Sequence, residues 1–153
     1  MEEKNSSEIL KEKREFLTNK SNDIKELLSE LETMKNKVNY TDLSPEEKFE
    51  YDYIIKTVSK LNGLYNHIAY HESPIEEVSK LIRNEHGRYE MQSGYCFTAG
   101  DLIEIKLGEN SIDSRYEKWI ISRVAYDEKD YYILDYKNID MENLIVRRRD
   151  ISY

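Results

Sequence analysis

The sequence predicts an α+β chain: an N-terminal antiparallel helical hairpin plus a short third helix, then a small antiparallel β-barrel or curved sheet. Three observations carry this. Apolar residues recur every seven positions up to Val38. Two helix-start signals follow, Ser44-Pro45-Glu46-Glu47 and Ser73-Pro74-Ile75-Glu76-Glu77. From Arg88 the hydrophobic period drops to two, and β-branched and aromatic residues dominate around the single tryptophan, Trp119. The expected organisation is a hairpin over 1–72, a connecting helix over 73–86 and a β-domain over 87–153.

The first helix is expected from Ser7 to about Val38. Leu10, Leu17, Ile24, Leu31 and Val38 form a heptad stripe, the pattern of a coiled-coil seam. Leu27 and Met34 supply the alternate seam positions, Phe16 and Ile9 flank the seam and widen its stripe, and Lys13 and Lys20 stand where earlier seam residues belong. The first half is therefore underpacked and left to self-associate or to bind another helix, so a homodimer through this helix is one expectation. Asn39 to Leu43 is a polar break. Ser44 can cap the next helix, Pro45 suits its first position and Glu47 completes a capping box. Phe49, Ile54, Ile55, Val58, Leu61, Leu64, Tyr65 and Ile68 continue that helix to about Tyr70, and the short break makes the two helices antiparallel neighbours. Ser73-Pro74 repeats the start signal, with Ile75, Val78, Leu81 and Ile82 on one face, and His86-Gly87 is the expected stop.

Strands are expected near 88–91, 95–97, 102–107, 118–126, 130–135 and 144–148. Ile103, Ile105 and Leu107 alternate with Glu104 and Lys106, which predicts one dry and one wet face. Residues 127–130 are the expected hairpin turn, and Gly108 to Arg115 a polar loop.

Composition narrows the function. Charged residues make up 35% of the chain and the net charge is -8. This argues against a general nucleic-acid binder, which needs a basic face. One cysteine, Cys96, allows no intrachain disulfide and suits the cytoplasm. The N-terminus has no apolar run of the signal-peptide kind, and no stretch has the ~18 apolar residues of a membrane span. Abundant Lys, Asn, Ile and Tyr suit an AT-rich bacterial genome.

Several residues are candidates for chemistry. His67 and His71 stand four apart on a helix, a spacing that lets two imidazoles share a metal. Glu72 or His86 would have to complete the set, and two histidines near a helix end are the simpler account. Cys96 has no local base to activate it and reads as a structural thiol. Asp101 follows Gly100 and makes a turn, and Glu104 falls on the wet face of its strand. No phosphate loop or nucleophile elbow is present. The expectation is therefore no catalytic residue, no metal, no cofactor and no enzyme.

Arg147-Arg148-Arg149 is the one basic run. Alternation puts Arg147 and Arg149 on one face and Arg148 on the other. With Arg123, Lys118, Tyr126, Tyr131 and Tyr132 they form a candidate face for a partner or for nucleic acid, arginines on phosphates and tyrosines on bases. The competing account pairs the arginines with acids such as Asp135, Asp140 and Asp150 and puts the tyrosines in the core.

Gly87-Arg88-Tyr89-Glu90, Ser93-Gly94-Tyr95, Thr98-Ala99-Gly100-Asp101-Leu102-Ile103-Glu104-Ile105, then Trp119, Arg123, Tyr131-Tyr132 and Val146-Arg147 make up a pattern. Over 87–149 it resembles an uncharacterised small β-barrel domain family of Gram-positive bacteria, often carried on mobile elements. The resemblance implies a small barrel and a mobile-element context, and no activity. With the acidic charge, it leads to the expected function: a non-catalytic protein-interaction module that binds a host or element-encoded protein. A plausible form is an inhibitor of a host nucleic-acid-handling protein, in the manner of anti-CRISPR proteins. The alternative is a nucleic-acid-binding accessory protein using the Tyr/Arg face.

Overall fold

The computed structural model describes residues 5–108 and 117–151. Contacts divide the chain into two compact units, Met1–Ser73 and Pro74–Tyr153.

The first unit is the expected hairpin. Helix α1 spans Ser6–Lys37 and opens with a capping box in which Asn5 and Glu8 each accept from the other's backbone N–H. A 3-10 turn over Tyr40–Asp42 reverses the chain. Helix α2 spans Pro45–Glu72, with the Ser44–Glu47 capping box and Pro45 in its first turn. These devices satisfy backbone N–H groups that the helix itself leaves unpaired. The helices pack through Leu28 on α1 and Val58 on α2, both buried. Ile24 and Leu31 are half-buried, but Leu10 and Leu17 stay 71% and 52% exposed. The heptad thus becomes a seam only in its second half.

The second unit corrects two expectations. Residues 73–86 form no helix: β1 runs over Ile75–Lys80 and β2 over Ile82–Arg83. Ser73 does not start a helix but closes α2, its N–H donating to the Ala69 and Tyr70 carbonyls and its hydroxyl to Ala69. The helical-looking period has a physical cause. A β-bulge between Ile75 and Glu77 shifts the register, so Ile75 faces Arg149 while Val78 faces Arg147. Residues three apart then share one face of a strand. Pairing along β7, Ile145–Arg149, outweighs the local helix signal.

The sheet also does not close into a barrel. With β3 at Tyr89–Glu90, β4 at Leu102–Leu107, β5 at Lys118–Tyr126 and β6 at Tyr131–Ile133, the antiparallel order is β1-β7-β4-β5-β6. It is open between β1 and β6; β2 and β3 form a separate pair. The strand expected at 95–97 is reduced to one bridge, Glu90 with Cys96. The turn at 127–130 forms, with Glu128 at φ 71° and the Asp127 carboxylate accepting from the Lys129 and Asp130 N–H groups. Beyond Gly108, the polar loop expected to Arg115 lies outside the described residues.

Alternation decides what the sheet buries. Ile103, Ile105, Val124, Ile133 and Val146 are buried on one face, with Tyr89 from β3 and Leu81, Met91, Phe97 and Met141 from the connecting segments packed on them. This single core holds the unit together. The opposite face presents Glu104, Trp119, Ile121, Arg123, Tyr132, Val78, Arg147 and Arg149, as the registers require.

Candidate functional site

The sheet brings four of the six candidate residues to that outer face: Arg123, Tyr132, Arg147 and Arg149. Tyr131 and Arg148 fall on the core side. Tyr131 packs against the core and sets its ring 4.8 Å from that of Tyr126. Arg148 places its guanidinium 4.1 Å from the Tyr95 ring centroid and bonds Glu76 at 2.8 Å.

Glu104 is the centre of the outer face. It stands directly opposite Arg147 in the β4–β7 register. Its two oxygens accept separately, Oε2 from Arg147 Nε and Oε1 from Arg149 Nε. The carboxylate is thus on the outer face, as alternation requires, yet it is not wet: only 3% of the residue is exposed. Burial pushes its pKa up, but hydrogen bonds and charge from Arg149 and Arg147 outweigh it and hold the carboxyl below the ordinary glutamate range. Glu104 therefore partners Arg147 and Arg149, and Glu76 partners Arg148.

The arginines also pack. The Arg147 guanidinium lies 4.3 Å from the Trp119 ring centroid, a cation–π contact. Arg123 is exposed and donates from Nη1 to the Gly100 carbonyl at 2.7 Å. The Lys137 ammonium sits 4.8 Å from the Tyr132 ring centroid. Around this polar centre Ile75, Val78 and Ile121 remain 46%, 53% and 39% exposed. The face therefore combines planar cations, aromatic rings and accessible aliphatic groups.

Asp101 accepts from both the N–H and the hydroxyl of Thr98, closing the turn at Gly100. The Cys96 thiol lies 3.6 Å from Glu90 Oε2 and 3.7 Å from Asn84 Nδ2. His67 and His71 contact edge to face at 5.1 Å between centroids. Among the described residues, no group of three or more His, Cys, Asp or Glu is placed to hold a metal ion. No helix is long and apolar enough to cross a membrane among those residues.

Sequence reasoning missed one cavity, of about 220 Å³, lined by Tyr89, Tyr131, Tyr132, Asp127, Asp130 and Lys137, among others. Among the described residues, two of its three carboxylates, Asp127 and Asp130 but not Asp140, have a cation beside them. Lys137 bonds Asp127 at 2.6 Å and Arg83 lies 3.4 Å from Asp130. The Lys137 hydrogen bond is the main cause that lowers the Asp127 pKa to about 2.

No curated protein and no solved structure matches the chain. A family model does match, beginning inside β1 at Ser79 and ending at Arg148. It covers β4, β5, β6 and most of β7, and with them the Glu104 centre. Residues 79–148, a little under half of the chain, match the model of a domain of unknown function, DUF5348.

Proposed function

We propose that this chain is a non-catalytic protein-interaction module that binds through the outer face of the DUF5348 sheet. One observation carries the reading: exposed Ile75, Val78 and Ile121 surround a centre of Arg147, Arg149 and Trp119. Tryptophan and arginine set among aliphatic groups are the residues that dominate protein interfaces. Glu104 fixes both guanidinium groups before any partner arrives, which lowers the entropy lost on binding. The net charge of -8 steers the chain toward basic partners over distance. A host nucleic-acid-handling protein fits that charge, and a Gram-positive mobile element, with an anti-CRISPR-like role, fits the sequence pattern.

A second reading places single-stranded nucleic acid on the same face. It is favoured by Arg123 and Tyr132 lying on one face with Arg147 and Arg149. Two contacts weigh against it. Glu104 offsets charge that would meet phosphate, and Arg147 covers the Trp119 ring on which a base would stack.

The test is capture from a low-GC bacterial lysate by tagged full-length chain, with and without nuclease. Protein retained after nuclease by wild type, and lost with Val78→Asp and Ile121→Asp, supports the first reading. Capture of nucleic acid alone, or capture unaffected by those substitutions, refutes it.

A further inference from the structure

β5 outruns its neighbour. It is nine residues long, while β6 has three and pairs only with residues 124–126. One further bond joins them, from the Leu134 N–H to the Arg123 carbonyl. Asp135, at φ 63°, then turns the chain away, and the Tyr136 N–H closes that turn on the Ile133 carbonyl. Among the described residues no strand lies beside 118–122 on that side.

The register decides where the backbone groups of that stretch point. The Val124 N–H donates to the Asp101 carbonyl, on the β4 side. In an antiparallel pair such bonds fall on every second residue. Ser122 and Ile120 therefore also bond β4, and Ile121 and Trp119 turn their N–H and C=O groups outward. Two donors and two acceptors thus stand at strand spacing with no backbone partner among the described residues. An edge of this kind is a template for another strand.

The other edges are blunted. β1 is bent by its bulge between Ile75 and Glu77 and ends on Lys80. In β6 the Tyr131 N–H bonds Asp130 Oδ1 at 2.8 Å, and the Ile133 carbonyl is taken by Tyr136. Bulges and charges keep strands apart, but Trp119-Ile120-Ile121 has no bulge, proline or charge. Its flanks are basic. Lys118 and Arg123 are both exposed. Arg123 bonds the Gly100 carbonyl rather than an acid, and Glu117, next to Lys118, lies 3.1 Å from Lys106.

We propose that an extended segment of a partner protein adds to β5 as a further strand, in the slot a longer β6 would fill. Its backbone bonds the outward groups of Trp119 and Ile121, which give affinity, and its alternate side chains give specificity. Apolar side chains lie beside Trp119 and Ile121 on the outer face and Ile120 on the other, and a carboxylate at either end meets Lys118 or Arg123. A second copy of the chain is a poorer occupant, because each copy brings a net charge of -8 to the contact. The inference rests on the reading that a protein binds this sheet, and it names the part of that protein that docks.

Amide hydrogen exchange of the full chain, read by NMR, tests this. Trp119 and Ile121 should exchange about a hundredfold faster than Ile120 and Ser122, which β4 protects. Peptides selected on the full chain from a library of short random sequences should slow Trp119 and Ile121 about tenfold. N-methylation of alternate peptide amides should abolish binding in one phase and spare it in the other, a comparison that needs no protein variant. Ile121→Pro removes an outward N–H and leaves the β4 ladder intact, so it should weaken peptide binding about tenfold. Free Trp119 and Ile121 amides as protected as their neighbours, as a second copy on the edge would make them, would overturn the inference. So would a selection that yields no peptide protecting them. Lysate protein lost with Val78→Asp yet retained with Ile121→Pro would sink the added strand and leave the binding face in place, whereas retention by both variants would remove the face as well.

Discussion

The guanidinium of Arg147 lies over the ring of Trp119 while its Nε bonds the buried carboxylate of Glu104. One side chain therefore joins three strands: β7, β4 and β5. The chain has one tryptophan, so its fluorescence reports directly on this junction. Arg147→Ala should change the emission of the folded protein, and Arg147→Lys should not restore it, because an ammonium cannot stack as a planar fork. Glu104→Gln should destabilise the unit by about 1–3 kcal/mol, since it removes the buried carboxylate that two half-buried guanidinium groups bond. Replacing Glu104, Arg147 and Arg149 together by Leu, Met and Met should cost far less. Urea titration followed by Trp119 emission separates these outcomes; equal losses for the single and triple variants would refute the buried-charge account.

Acid should weaken the sheet in a defined window. Glu104 has a folded pKa below its ordinary value of 4.5. Its contribution to stability is complete above that value and is lost as pH falls through the depressed folded pKa. Asp127 acts in the same direction, between its ordinary 3.8 and about 2. The urea midpoint should hence be insensitive to these two groups from pH 7 to 5 and fall below about 4.5. In Glu104→Gln the fall should be shallower. A fall of equal depth in wild type and variant would exclude Glu104 as its source.

Gly100 separates backbone cost from side-chain crowding. Its φ is +100°, and an added Cβ would meet nothing within 4 Å. Its N–H donates to the Val124 carbonyl at 2.8 Å, tying the turn to β5. Gly100→Ala should therefore cost about 1–3 kcal/mol from conformation alone. Urea midpoints for Gly100→Ala and for Gly63→Ala, which lies in α2 with no φ constraint, provide the comparison. The helical substitution should be neutral or stabilising. Equal effects would show that φ is not what matters at Gly100.

What could be read from the sequence was whatever depends on near neighbours. β4 and β5 stand where the alternation of Ile103, Ile105 and Leu107 and the run from Lys118 to Tyr126 put them. The capping box at Ser44 and the turn at Asp101 are equally local. What was not legible depends on strand order. Arg147 finds Glu104 only because β7 inserts between β1 and β4, and no local pattern reveals that insertion. For the same reason Arg148 meets Glu76 rather than an acid near it in the chain. The expected helix at 73–86 failed because a bulge gave a strand a three-residue spacing. The heptad was sound as a pattern, but Leu10 and Leu17 remain exposed.

The pairing of Ile75 with Arg149 has a consequence for synthesis on the ribosome. The hairpin has all its own residues once Glu72 has emerged, so it can fold early from local contacts. The sheet cannot: β4 can pair with β5 alone, and β1 joins it only through β7, the last of the described strands. Until Arg147 and Arg149 arrive, Glu104 remains an uncompensated carboxylate between two apolar neighbours, Ile103 and Ile105. That charge discourages the unfinished strand from pairing with another nascent chain. The same glutamate thus guards the intermediate and then holds together the finished face.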